Sequence, residues 1–208
     1  MIAELCGALI SSIWGACIIF KKKTPLFYRI IFLAVLACLM GNVYTLLFRL
    51  LQQPEYTGFH VGYLGYISMF FFLYSSYYGA INSLADGNQP ELKKYRVVAG
   101  FITVIFFILS ILLICFCNKE LWIFIVVIPI GFTLYFATKL LIIPDVEMGI
   151  IKVLRPYNGV IIGLCICMAI RILSKAGSVI ETVSSIFAGL LLTVCIPVAR
   201  RGVRKWFI

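Results

Sequence analysis

Seven long apolar blocks joined by short polar connections constrain this chain more than anything else in its sequence. They run from Ala3 to Phe20, Phe27 to Phe48, Phe59 to Asn82, Val97 to Phe116, Leu121 to Leu141, Tyr157 to Leu173 and Thr182 to Ala199. A helix needs about 20 apolar residues to cross a bilayer core of ~30 Å, whereas a barrel strand needs only about 9–11. Each block therefore predicts a helix, which satisfies its own backbone hydrogen bonds in lipid. The expected fold is an all-α, polytopic membrane helix bundle of seven transmembrane helices, a single integral membrane domain over residues 1–208. Composition agrees: 63% of the residues are hydrophobic and 12% are charged. A soluble domain carries about 25% charged residues, because it meets water on every side.

The formal net charge is +10. Nucleic-acid binders gather Lys and Arg on a soluble face. Here the basic residues punctuate apolar blocks, so the bilayer is the expected partner and nucleic acid is not. The first block has Glu4 before it and Lys21-Lys22-Lys23 after it, the reverse of a secretory signal peptide. That order predicts an uncleaved span with the N-terminus outside. Alternate threading then puts Lys21, Lys22, Lys23, Arg29, Lys93, Lys94, Arg96, Lys139, Lys152, Arg155, Arg200, Arg201, Arg204 and Lys205 on the cytoplasmic side. Only Arg49, Lys119, Arg171 and Lys175 fall outside, as the positive-inside rule requires. A multi-pass protein of the cell membrane with a cytoplasmic C-terminus is the expectation. The piece Met148–Arg155 reads as an amphipathic segment lying in the interface, and the tail after Ala199 is too short for a catalytic output module.

Enzymatic chemistry finds little support. His60 is the single histidine, which excludes a His-Glu-x-x-His zinc site. The eight cysteines include no Cys-x-x-Cys pair, and Cys115-x-Cys117 and Cys165-x-Cys167 point their thiols to different sides of a helix. The thiols read as buried packing residues, with no metal and no cofactor expected. All acidic residues fall in connections or near block ends, leaving no carboxylate pair for acid–base work at mid-membrane. The chain is expected not to be an enzyme.

Helices in lipid associate through close packing of small residues. The first block carries Gly7, Ser11 and Gly15 at four-residue steps, the sixth carries Gly159 and Gly163, and the seventh Ser185 and Gly189. Their partners are either helices of the same chain or a second copy, so a homo-oligomer stays open. Pro129-Ile130-Gly131 lies near the middle of the fifth block, where proline removes one backbone donor and predicts a bend. Pro129 is thus a candidate hinge.

The densest concentration of polar and aromatic groups begins at Arg49 and runs through His60, Tyr63 and Tyr66. His60 and Tyr63 stand one helical turn apart. Two readings apply: an interfacial aromatic belt, or an aromatic, hydrogen-bonding cleft for a small ligand. Arg171, ending the sixth block, either snorkels to the headgroups or turns inward toward Glu4, Glu55 or an anionic ligand. Arg49, His60, Tyr63, Tyr66 and Arg171 are the candidate ligand-binding residues.

Seven spans with an outer N-terminus resemble the format of the SWEET sugar transporters, but the first block lacks the proline of that pattern. The format of rhodopsin-like proteins is similar too, without a lysine midway along the last block. The functional expectation is a non-enzymatic sensor or ligand-binding module that relays to a cytoplasmic protein partner. A small transporter or channel-like subunit, and an accessory subunit of a membrane complex, are the alternatives.

Overall fold

The computed structural model describes residues 2–20, 24–51, 58–82, 89–144 and 150–204. Among them are seven α-helices and no strand. They are α1 (Ile2–Ile19), α2 (Leu26–Leu51), α3 (Gly62–Ser76), α4 (Lys93–Phe116), α5 (Ile123–Ile142), α6 (Ile150–Leu173) and α7 (Val179–Arg204). Six are long and apolar enough to cross a membrane. The other is α3, which continues as a π-helical segment, Tyr77–Asn82. Lys21, Lys22, Lys23 and Lys205 of the topology reading, Met148 and Gly149 of the interface segment, and Glu55 lie outside the described residues.

Four of the helices, α2, α4, α6 and α7, outrun the apolar blocks they are built on. Helix α7 runs beyond both ends of its block, and α4 starts at Lys93 instead of Val97. The larger departure is at α6. The segment expected to lie flat in the interface forms instead, from Ile150, the opening turns of α6, which continues through Pro156. Pro156 is the seventh residue of α6, past the first turn, so the helix gives up one backbone hydrogen-bond donor there. Helix α5 likewise runs through Pro129 as one continuous helix.

Helix α1 packs between α2 and α7; α2 packs on α3, α3 on α5, α5 on α6, and α6 on α7. These contacts close a ring of six helices in which the first element meets the last. Helix α4 stands outside the ring, against α5 and more lightly α6. Phe101, Ile105, Ile108 and Leu112 on α4 are exposed.

Small residues set the tightest crossings. A Cβ on Gly7 would collide with the Gly189 carbonyl, so α1 and α7 meet backbone to backbone. The small-residue stripe on α1 is therefore used within the chain. Gly15 lies under Phe32 and Ile196, with Cβ distances of 2.6 and 2.8 Å, and Gly163 abuts Leu191 at 3.1 Å. Gly41 and Gly65 bring α2 and α3 into a second backbone contact, and Gly131 receives the ring of Phe107. Ser11 is fully buried on the inward face of α1.

Gly159 makes no packing contact within the chain. It faces outward with nothing within 4 Å of where a Cβ would stand. Gly159→Ala is accordingly expected to raise thermal stability in detergent by up to about 1 kcal/mol, the helix-propensity difference between the two residues. The thiol expectation is corrected in part. Cys38, Cys165 and Cys195 are buried, whereas Cys6, Cys17 and Cys115 are exposed.

Candidate functional site

Glu4 shares one face of α1 with Ala8, Ser11 and Gly15, at steps of four, seven and eleven residues, and this face lines the ring interior. Arg171 follows Leu164 and Met168 on the inner face of α6, and both of those are fully buried. Tyr66 lies one turn ahead of Met69 and Phe70 on α3, and Asn42 one turn beyond Cys38 on α2. Four ring helices thus aim one polar residue each at a common point.

Arg171 occupies that point. It turns inward, only 8% exposed, and does not snorkel outward. Its Nη1 lies 3.0 Å from Oε2 of the fully buried Glu4. Its Nη2 donates to the Tyr66 hydroxyl at 3.1 Å, and the guanidinium stands 4.9 Å over the Tyr66 ring. The Tyr66 hydroxyl donates onward to Asn42 Oδ1 at 3.0 Å, and Asn42 Nδ2 donates to the Cys38 carbonyl at 3.0 Å. One guanidinium therefore ties α6 to α1 and α3, and through Tyr66 to α2.

The cluster is less than fully bonded. Ser185 of α7 lies beside the Glu4 carboxylate. Beyond that Ser185 contact, neither the carboxylate oxygens nor Arg171 Nη1 closes a further hydrogen bond among the described residues. A buried ion pair offsets the cost of removing both charges from water only when the remaining lone pairs and protons are also satisfied. Here they are not. This pair is held chiefly by charge.

An aromatic run connects the cluster to the surface at the same end of the ring. Phe59, 44% exposed, meets Trp122 edge-on at 5.2 Å. Trp122 meets Tyr63 at 4.8 Å, and Tyr63 meets Tyr66 at 6.3 Å. His60 stacks between Phe48, at 5.1 Å, and Tyr63, at 4.4 Å. It precedes the first turn of α3, and its buried Nδ1 has no hydrogen-bond partner among the described residues.

Four of the five candidate ligand residues, His60, Tyr63, Tyr66 and Arg171, are brought together. Arg49 is not: it is exposed at the end of α2 and reaches His60 only through its charge. Trp122, Phe48 and Ser185 join the site without having been anticipated. Trp122 was the most accessible of these to sequence reasoning, being an aromatic residue at the head of a block on the same face as His60.

A second buried polar layer lies toward the other end. Tyr77, placed by the π segment, donates to Asn158 Oδ1 at 3.0 Å. Asn158 Nδ2 is buried without a hydrogen-bond partner among the described residues, and the buried Tyr157 hydroxyl lies beside Ser76. Thr133 Oγ1 donates to the carbonyls of Phe70, at 3.0 Å, and Pro129, at 2.8 Å, holding α5 against α3 beside the candidate hinge.

No protein-family model, no curated protein and no solved structure matches the chain.

Proposed function

We propose that this chain is a multi-pass protein of the cell membrane that binds a small planar anion at the Arg171 cluster and relays that event to a cytoplasmic protein partner, without catalysing a reaction. The observation that carries the reading is the under-bonded Glu4–Arg171 pair at the end of an aromatic run. A ligand carboxylate or phosphate can offer the guanidinium the two-pronged geometry that Glu4 does not. Tyr63, Trp122 and His60 supply faces for a flat ring. Exchange of Glu4 for the ligand would free α1 from α6. Helix α1 is also packed on α7, and α7 ends in the basic residues expected to face the cytoplasm, so the change has a mechanical route across the bundle.

The test uses Trp122 as reporter in a Trp14→Phe/Trp206→Phe background, titrated in nanodiscs with benzoate and phenyl phosphate. A saturable fluorescence change is expected, with His60→Ala and Tyr63→Ala each weakening it by about ten-fold, the loss of one good contact of roughly 1.4 kcal/mol. Wild-type titrations in both variants would remove the site from consideration.

A transporter is the second reading, favoured by the polar layer at Tyr77 and Asn158. Accumulation of the same anions in sealed proteoliposomes, lost in Pro129→Ala, would decide for it. Binding without flux decides for the sensor.

A further inference from the structure

Away from the Arg171 cluster, toward the opposite end of α1, an open groove of about 420 Å³ is lined by Ile10, Ile13, Trp14, Cys17, Ile18 and Arg200. The five α1 residues recur at three- and four-residue steps and form one stripe, about 12 Å long from Ile10 to Ile18 at the helical rise. At Gly7 the backbones of α1 and α7 touch, whereas Gly15 meets side chains, Phe32 of α2 and Ile196 of α7. Ile10, Ile13 and Trp14 remain about half exposed, at 52%, 59% and 50%. The single charged residue in the lining is Arg200 of α7. No hydrogen bond or ion pair ties it to another described residue.

We propose that this groove is a binding site for an anionic glycerophospholipid, one acyl chain lying along the Ile10–Ile18 stripe and the headgroup phosphate on Arg200. A dry stripe that ends in a free guanidinium matches an amphiphile with its anion at one end. Arginine binds phosphate oxygens through two parallel N–H donors. The surroundings strengthen the match: Arg201 adjoins Arg200, and in the sequence Lys21-Lys22-Lys23 follows the stripe directly. Basic pockets between helices on the cytoplasmic side hold lipid headgroups for this reason. A second copy of the chain suits the groove less well. Covering Arg200 with another apolar helix would leave its charge uncompensated in a dry contact, whereas a phosphate neutralises it.

The experiment is lipid exchange on the full chain in mild detergent. Protein is equilibrated with mixed phosphatidylglycerol and phosphatidylcholine, and retained lipid is counted by native mass spectrometry. Wild type is expected to retain phosphatidylglycerol preferentially. Arg200→Gln should lower that retention about five-fold, the effect of one basic residue at an anionic surface, while Arg200→Lys keeps most of it. Ile13→Ser, which leaves the charge in place, should weaken retention of both lipids by shortening the apolar stripe. Equal retention of the two lipids by wild type would overturn the proposal. Displacement of the lipid by millimolar inorganic phosphate would also overturn it, by assigning the cation to a free anion. So would a dimer that forms without lipid and is lost in Ile13→Ser, since the groove would then belong to a second copy.

Discussion

Replacing Arg171 with leucine is expected to lower the stability of the bundle by about 3–5 kcal/mol, the cost of leaving one member of a buried ion pair without its partner. The carboxylate left behind would be Glu4, fully buried and already short of hydrogen bonds. The substitution also removes the donor to Tyr66 and the cation above its ring. Glu4→Leu should cost a comparable amount by stranding the guanidinium. The double substitution Glu4→Leu/Arg171→Leu should recover most of the loss, because apolar replacement of both partners in a dry site is often neutral. Thermal unfolding of the four proteins in one detergent gives the coupling directly. Additive losses, with no recovery in the double variant, would mean that the two groups act independently. Arg171→Lys should fall between, keeping the charge but losing the planar fork that donates to Tyr66 while facing Glu4.

Gly65→Ala should produce the next largest effect, about 3 kcal/mol, at the upper end of the usual cost of overpacking. The added Cβ would stand 2.7 Å from both the Ala37 carbonyl oxygen and the Gly41 nitrogen. These are backbone atoms, which cannot rotate away as the end of a side chain can. Helices α2 and α3 must separate instead. The consequence reaches the site, because Asn42 and Tyr66 are the immediate neighbours of Gly41 and Gly65. Separation lengthens the 3.0 Å bond between them, so Gly65→Ala should also weaken any anion response at Trp122. Gly100→Ala on α4 is the matched control, since nothing lies within 4 Å of its Cβ position. Like Gly159→Ala, it should cost nothing and is expected to stabilise by up to about 1 kcal/mol through helix propensity. Equal melting of the two variants would show that the α2–α3 crossing is looser than described.

The fold class and the number of helices were legible from the apolar blocks alone, because lipid penalises any other backbone arrangement of that length. The order around the ring was not. Every helix is apolar on most faces, so hydropathy gives no direction to any of them; α4, the outlier, reads as the most apolar span of all and is the least buried. Small residues gave partial direction. Gly7 and Gly163 mark contacts, but Gly159, four residues from Gly163, marks none, and Gly41 with Gly65 formed a crossing that spacing within one helix could not reveal. The site divided along the same line. His60, Tyr63 and Tyr66 lie close together in the chain and were found together. Arg171 was ambiguous because its choice between solvent and interior rests on Glu4, a residue 167 positions away. Pairing over that distance leaves no local periodicity to read.

The contact between α1 and α7 has a consequence during synthesis. A ribosome delivers α1 well before α7, and domains generally gain structure in order of emergence. Until the carboxy-terminal third emerges, Gly7 faces no Gly189 and Glu4 no Arg171. The nascent chain must therefore carry an unneutralised carboxylate and an unfilled seam while the five intervening helices are made. Any insertase or chaperone that attends this protein would find a long-lived client surface on α1.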